Sequence, residues 1–231
     1  MAVSLASVII PVYNQAESIG SILEQYLAAF PSLGFPCELL VVVNGPRRDH
    51  TLEICKAAEA RHANLRTLVI DLGGWGRAVR HGLARAQGDV ICYTNCARTT
   101  APDLIRLIRE AARNPDSVIK ARRMERESLR RRVGSSIYNI ESRILFGVKW
   151  PDVNATPKIF PRTFTPLLEL EENGDLIDLE FNALCRRHGY PVLEVPIFTK
   201  PSAERKSTTG WKSAWRMYAG AVRLRWSWLN R

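Results

Sequence analysis

Runs of aliphatic and β-branched residues alternate with stretches of helical period through the first half of this chain, and few folds can absorb that alternation. Ser7-Val8-Ile9-Ile10-Pro11-Val12, residues 38–43, residues 65–70 and residues 89–93 read as strands. They are continuously apolar rather than alternating, as strands covered on both faces must be. Between them, residues 16–30 place Ile19, Ile22, Leu23, Tyr26 and Leu27 on one helical face, and residues 49–60 turn Leu52, Cys55 and Ala58 inward. Residues 77–86 and 102–112 supply two more helices, the latter capped by Thr99 or Thr100 with Pro102 near its first turn. Residues 118–120 close the series. This order predicts an α/β fold with a mostly parallel central sheet flanked by helices on both faces. Such sheets bind ligands beyond the carboxyl ends of their strands. The residues after Val12, Val43, Ile70 and Tyr93 should therefore converge on one crevice.

The 231 residues suffice for one domain with a sizeable core. At 46% hydrophobic and 24% charged residues, the composition excludes a disordered chain. No run reaches the ~20 apolar residues of a membrane span. The start, Met-Ala-Val-Ser-Leu-Ala-Ser, has no basic region and no long apolar region of a signal peptide, so the expected compartment is the cytosol. Five cysteines form no C-x-x-C pair and no zinc set, and read as reduced, buried thiols. Lys plus Arg exceeds Asp plus Glu by 33 − 23 = 10, which predicts an anionic partner: nucleic acid, a phospholipid surface or a phosphorylated substrate.

In the second half, residues 122–132 hold six Arg and two Glu. A helix is expected over residues 135–146, a loop leading into a strand over 152–160, a helix over 176–187 and a closing strand over 190–197. Residues 1–209 are read as one domain and 210–231 as a C-terminal amphipathic helical extension. There Trp211, Trp215, Tyr218, Val222, Trp226 and Leu229 recur at steps of three and four, with Lys212, Arg216 and Arg223 on other faces. A basic helix with such a stripe either lies in a membrane interface or packs its stripe on the domain.

Several segments in order resemble glycosyltransferase family 2, close to its dolichyl-phosphate-mannose-synthase-like branch. They are residues 7–19 (SVIIPVYNQAESI), residues 38–45 with Asp49-His50-Thr51, the glycine-rich residues 73–83 (GGWGRAVRHGL), residues 86–91 and residues 190–197. The resemblance implies the GT-A (Rossmann-like) fold and inverting transfer of a sugar from a nucleoside diphosphate to an acceptor. It places Pro11, Tyr13, Asn14, Glu17, Asn44, Gly45, Gly76, Arg77, Asn95 and Arg98 at the nucleotide-sugar. It places Asp178 and Glu180 as the candidate catalytic acids, and Asp152, Lys158, Arg205 and Lys206 on the acceptor side. Two apart on a helix, Asp178 and Glu180 splay by about 200°, so at most one can face the site.

The chain departs from the family where metal is usually bound. The Asp-x-Asp positions are Asn95-Cys96-Ala97, and the acidic pair ending the second strand is Val43-Asn44. Mg²⁺ or Mn²⁺ is poorly served without carboxylates, so at most a weakly bound ion is expected, with Asn95 a weak ligand. Arg98 follows the altered motif, with Arg77, Arg80, Arg47 and Arg48 nearby; guanidinium groups can neutralise a leaving diphosphate without a metal. The expected partners are a nucleoside-diphosphate sugar, a hydroxyl or polyprenyl-phosphate acceptor, and an anionic membrane surface reached from the cytosolic side. Two other classes fit parts of the sequence: an inactive nucleotide-sugar-binding module, and a basic nucleic-acid-binding protein, for which no motif is present. A dinucleotide dehydrogenase does not fit, because Val79 stands at the last glycine of G-x-G-x-x-G.

Overall fold

The structure is a computed structural model and describes residues 3–124, 143–150, 152–198 and 220–226. The first strands and helices are β1 (Ala6–Val12), α1 (Ala16–Ala29), β2 (Cys37–Asn44), α2 (Thr51–Glu59), β3 (Leu65–Ile70), α3 (Trp75–Leu83), β4 (Val90–Tyr93) and α4 (Ala101–Arg113). They are followed by β5 (Val118–Arg123), β6 (Lys158–Pro161), α5 (Ile177–Arg187) and β7 (Val192–Ile197). The seven strands form one sheet in the order β3-β2-β1-β4-β6-β5-β7. The β1, β2, β3 and β4 contacts are parallel, as is β5 with β7. β6 runs antiparallel to both β4 and β5. The series therefore does not close at residue 120: β5 is separated from β4 by a reversed strand that arrives later in the chain.

Every side chain of β1, β2 and β4 is buried. One apolar layer joins them to α1, α2 and α4 through Ile19, Leu23, Cys55 and Leu104. The other joins Ile9, Leu40 and Ile91 to α3 and α5 through Ala78, Val79 and Phe181. Edge strand β3 is less covered than the inner strands: Leu65 and Thr67 are buried, while Arg66 and Val69, on opposite faces, are exposed. α4 begins at a reciprocal cap: Thr100 Oγ1 accepts from the Asp103 amide at 3.3 Å and donates to its carboxylate at 2.9 Å. All five cysteines are free and buried. Among the described residues, no helix is long and apolar enough to cross a membrane.

A third, smaller cluster joins Val148, Val153 and Leu179 to Ala221 and Leu224 of the helical segment 220–226. Gly220 packs so closely that a Cβ there would meet Leu176 Cδ1 at 2.4 Å. Of the expected helix 135–146 only 143–146 is described, and it is helical. Most of the arginine-rich stretch, from residue 125 on, lies outside the described residues, as do Trp211, Trp215, Tyr218 and Leu229.

Candidate active site

The loops at the carboxyl ends of β1, β2, β3 and β4 meet one another. The Asn14 side chain, on a residue with φ of 45°, accepts from the Arg48 amide at 3.1 Å. Thr51 Oγ1 accepts from the Gln15 amide at 2.7 Å, and Asp49 accepts from Ala16 at 3.0 Å, so the second turn caps α1. Asn44 donates to Val12 O at 2.9 Å and accepts from the Gly74 amide at 3.2 Å, stitching β1, β2 and the start of α3 together. Gly45 has φ of 78°, and Tyr13, itself half-exposed, lies against it. Pro11 is buried in β1, while Glu17 is exposed on the first turn of α1.

The glycine-rich start of α3 is closed by protein. A Cβ on Gly76 would lie 2.3 Å from Glu172 O and 2.7 Å from Gly174 O, so loop 172–174 can approach only because position 76 has no side chain. The Arg77 amide donates to Asn173 O at 3.0 Å. Arg80 holds the same loop through Glu171 O at 2.9 Å and Asn173 Oδ1 at 2.7 Å. Gly76 and Arg80 thus serve loop packing. The Arg77 guanidinium lies over the β3–α3 turn, 3.3 Å from Gly73 O, and Arg47 pairs with Asp71 at the surface. After β4, Asn95 Oδ1 accepts from the Ala97 amide at 3.0 Å and holds the turn that presents the exposed Arg98. The Cys96 thiol is buried and points at Gln15 Oε1.

Beside this crevice lies a buried ionic tier. Strand register sets Tyr93 opposite Lys158, Lys158 opposite Lys120, and Lys120 opposite Glu194, one row across β4, β6, β5 and β7. Both lysines are fully buried. Adjacent like charges repel, and acids from other elements offset them. Asp178, in the first turn of α5, takes the Lys158 ammonium. It also accepts from Tyr93 Oη at 3.1 Å and Trp75 Nε1 at 3.2 Å. Lys120 pairs with Glu194 at 3.2 Å. Arg123 grips Asp152 in a fork of 2.9 and 2.7 Å. Three cations thus meet three anions. Burial pulls Lys158 below the ordinary lysine value against the pull of Asp178 and brings Lys120 down to about 8. Burial, then the Asp178 charge, pushes the Tyr93 phenol well up. Glu180 turns away from the tier and accepts from the amides of Glu171 and Glu172 at 2.8 and 2.9 Å. Its burial raises the carboxyl against the pull of those amides.

A model of glycosyl transferase family 2 matches residues 7–169, more than two-thirds of the chain. The chain belongs to glycosyl transferase family 2. Similar members include the undecaprenyl-phosphate 4-deoxy-4-formamido-L-arabinose transferase of Pseudomonas fluorescens (strain SBW25), 28% identical over 78% of this chain and 54% of that protein. The enzyme of the same name from Pectobacterium carotovorum subsp. carotovorum (strain PC1) is 27% identical over 78% of this chain and 56% of its own length. This chain thus spans a little over half the length of those family members. The fold is shared with glucosyl-3-phosphoglycerate synthase of Mycobacterium tuberculosis, at a TM-score of 0.71 and 15% identity over 96% of this chain and 80% of that one. Mannosyl-3-phosphoglycerate synthase of Rubrobacter xylanophilus gives 0.69 and 16% over 99% and 75%. The sheet with its flanking helices is the GT-A fold of these neighbours. The mycobacterial enzyme has been crystallised with Mn²⁺, UDP and glucosyl-3-phosphoglycerate.

The residues at this chain's family-2 metal position do not fit such an ion. Asn95 spends its side-chain oxygen on the turn, Ala97 has no donor atom, and Cys96 faces inward. Among the described residues, no group of three His, Cys, Asp or Glu side chains could hold a metal. Arg205 and Lys206 lie outside the described residues. Sequence reasoning missed Tyr93, Trp75, Lys120, Arg123 and Glu194. The signal was available in Val118-Ile119-Lys120-Ala121 and Lys158-Ile159-Phe160, where a lysine sits inside a strand too apolar to be solvated.

Proposed function

We propose that this chain is the transferase unit of an enzyme that moves a sugar from a nucleoside diphosphate to a polyprenyl phosphate, with guanidinium groups rather than a dication receiving the diphosphate. The engagement of both candidate acids carries this reading. Asp178 is filled by three donors and Glu180 by two amides. Neither carboxylate stands ready to take a proton from a hydroxyl. A phosphate acceptor brings its nucleophile already ionised: its oxygen attacks the anomeric carbon, the bond to the diphosphate breaks, and the nucleoside diphosphate leaves with the electron pair. No proton has to be removed. The developing charge on the diphosphate is met by Arg98 and Arg77, at the two turns that flank the crevice. The names of the undecaprenyl-phosphate transferases similar to this chain agree with such an acceptor. Asp152 and Lys158 belong to the floor of the acceptor side, with the sugar above them. A lipid acceptor places the working enzyme at a membrane surface.

A second reading, an inactive module that only binds nucleotide-sugar, is favoured by the lost metal donors. Release of nucleoside diphosphate from UDP- and GDP-sugars with undecaprenyl phosphate in detergent, in EDTA and in Mn²⁺, separates the two. Turnover is expected to persist in EDTA and to fall about 10²-fold in Arg98→Ala. An absolute requirement for Mn²⁺ overturns the arginine role. Binding of nucleotide-sugar without turnover under any condition establishes the inactive module.

A further inference from the structure

The helical segment 220–226 packs by the face opposite to its apolar stripe. Ala221 and Leu224 are buried against Val148, Val153 and Leu179, and Gly220 is seated on Leu176. The two described members of the stripe, Val222 and Trp226, are 52% and 70% exposed. Residues 143–146 behave alike: Leu145 and Phe146 join the same cluster while Ile144 is 77% exposed. Between these segments and the last turns of α5 runs a groove of about 390 Å³, lined by Phe146, Gly147, Ala183, Arg186, Arg187 and Arg225. Among the described residues its lining holds three guanidiniums and no carboxylate. Exposed large apolar side chains beside a cluster of cations are the composition of a surface made for the boundary between headgroups and acyl chains. Nucleic acid would satisfy the arginines but offers nothing to Ile144 and Val222. The same α5 helix carries Asp178 in its first turn and Arg187 in its last, nine residues apart, so the groove lies about 14 Å along the helix from the buried tier.

We propose that this face docks on a bilayer containing anionic phospholipid, with Arg186, Arg187 and Arg225 meeting headgroup phosphates and Ile144, Val222 and Trp226 entering the interfacial layer. The proposal rests on the transferase reading only for the reason to be at a membrane. Docking therefore brings the acceptor's phosphate within one helix length of the crevice.

Flotation of the full chain with phosphatidylcholine vesicles, with and without about one-third phosphatidylglycerol and without any polyprenyl phosphate, tests it. The chain is expected to float with the anionic vesicles only, and to be released by salt. Arg186→Gln/Arg187→Gln/Arg225→Gln lowers the partition about 10²-fold, since each surface cation contributes about fivefold. Trp226→Ala lowers it several-fold and abolishes a blue shift of tryptophan emission. These side chains line a surface, so unfolding temperatures should match the parent. Equal binding to neutral vesicles, no binding, or unchanged binding by the triple variant overturns the proposal. So does a dimer in sedimentation velocity that Trp226→Ala dissolves, which assigns the face to a second copy. Vesicle binding without turnover in detergent defeats the transferase reading alone; turnover without vesicle binding defeats this one alone.

Discussion

Strands β1, β2 and β4 are wholly buried and carry one charged side chain, Glu38, which sits low on the sheet and binds the Ser7 hydroxyl and the Gln87 amide. Strands β5, β6 and β7 bring Lys120, Arg122, Arg123, Lys158 and Glu194 into the same sheet. In the half built on β1, β2 and β4, polar chemistry is kept in loops above an apolar layer. In the half built on β5, β6 and β7 it is built into the strands. The first arrangement draws its stability from area removed from water, largely indifferent to pH. The second holds charges in place by opposing charges, and each member depends on its partner remaining ionised.

Removing one partner should show the contrast most strongly. Asp178→Ala leaves the buried Lys158 ammonium without its counter-charge and is expected to cost about 3–5 kcal/mol in urea unfolding. Leu40→Ala, a cavity in the apolar half, should cost about 3 kcal/mol, with the same value at pH 7 and pH 9. A pH-dependent Leu40→Ala, or an Asp178→Ala that costs under about 1 kcal/mol, would break the comparison. The smallest effect sharpens it. Lys120 titrates near 8 in the fold against an ordinary 10.5, so the unfolded chain binds the extra proton between those values. Stability due to this group is therefore lowest below about pH 8 and rises as pH climbs to 10.5. Relative to Lys120→Met, the parent should gain about 1–3 kcal/mol across that window, read from paired urea titrations.

The apolar half was legible in the sequence because each strand declares itself locally. Residues 65–70 were expected as a strand and form β3 with those bounds, and Thr100 caps α4 as one of two candidates. The ionic tier was not legible, because its row depends on register between strands far apart in sequence, and β6 enters between β4 and β5 only in three dimensions. Of the acidic pair, periodicity alone foretold that Asp178 and Glu180 diverge; it could not tell that Trp75, Tyr93 and Lys158 would converge on the first. The stripe Val222–Trp226 shows a related limit. A helical wheel identifies an apolar face but not whether a second face, here Gly220, Ala221 and Leu224, makes the closer fit to the domain.

Burial of the five cysteines has a practical consequence. Desolvation pushes Cys37, Cys55 and Cys185 up to about 12 and raises Cys92 well above the ordinary thiol value. At neutral pH a thiol of that kind is ionised in about one molecule in 10⁵, so alkylating reagents find almost nothing to attack. A single new cysteine at an exposed position such as Val222 would then be the preferred point for a fluorophore or spin label, and its quenching by lipid-borne probes would report depth directly.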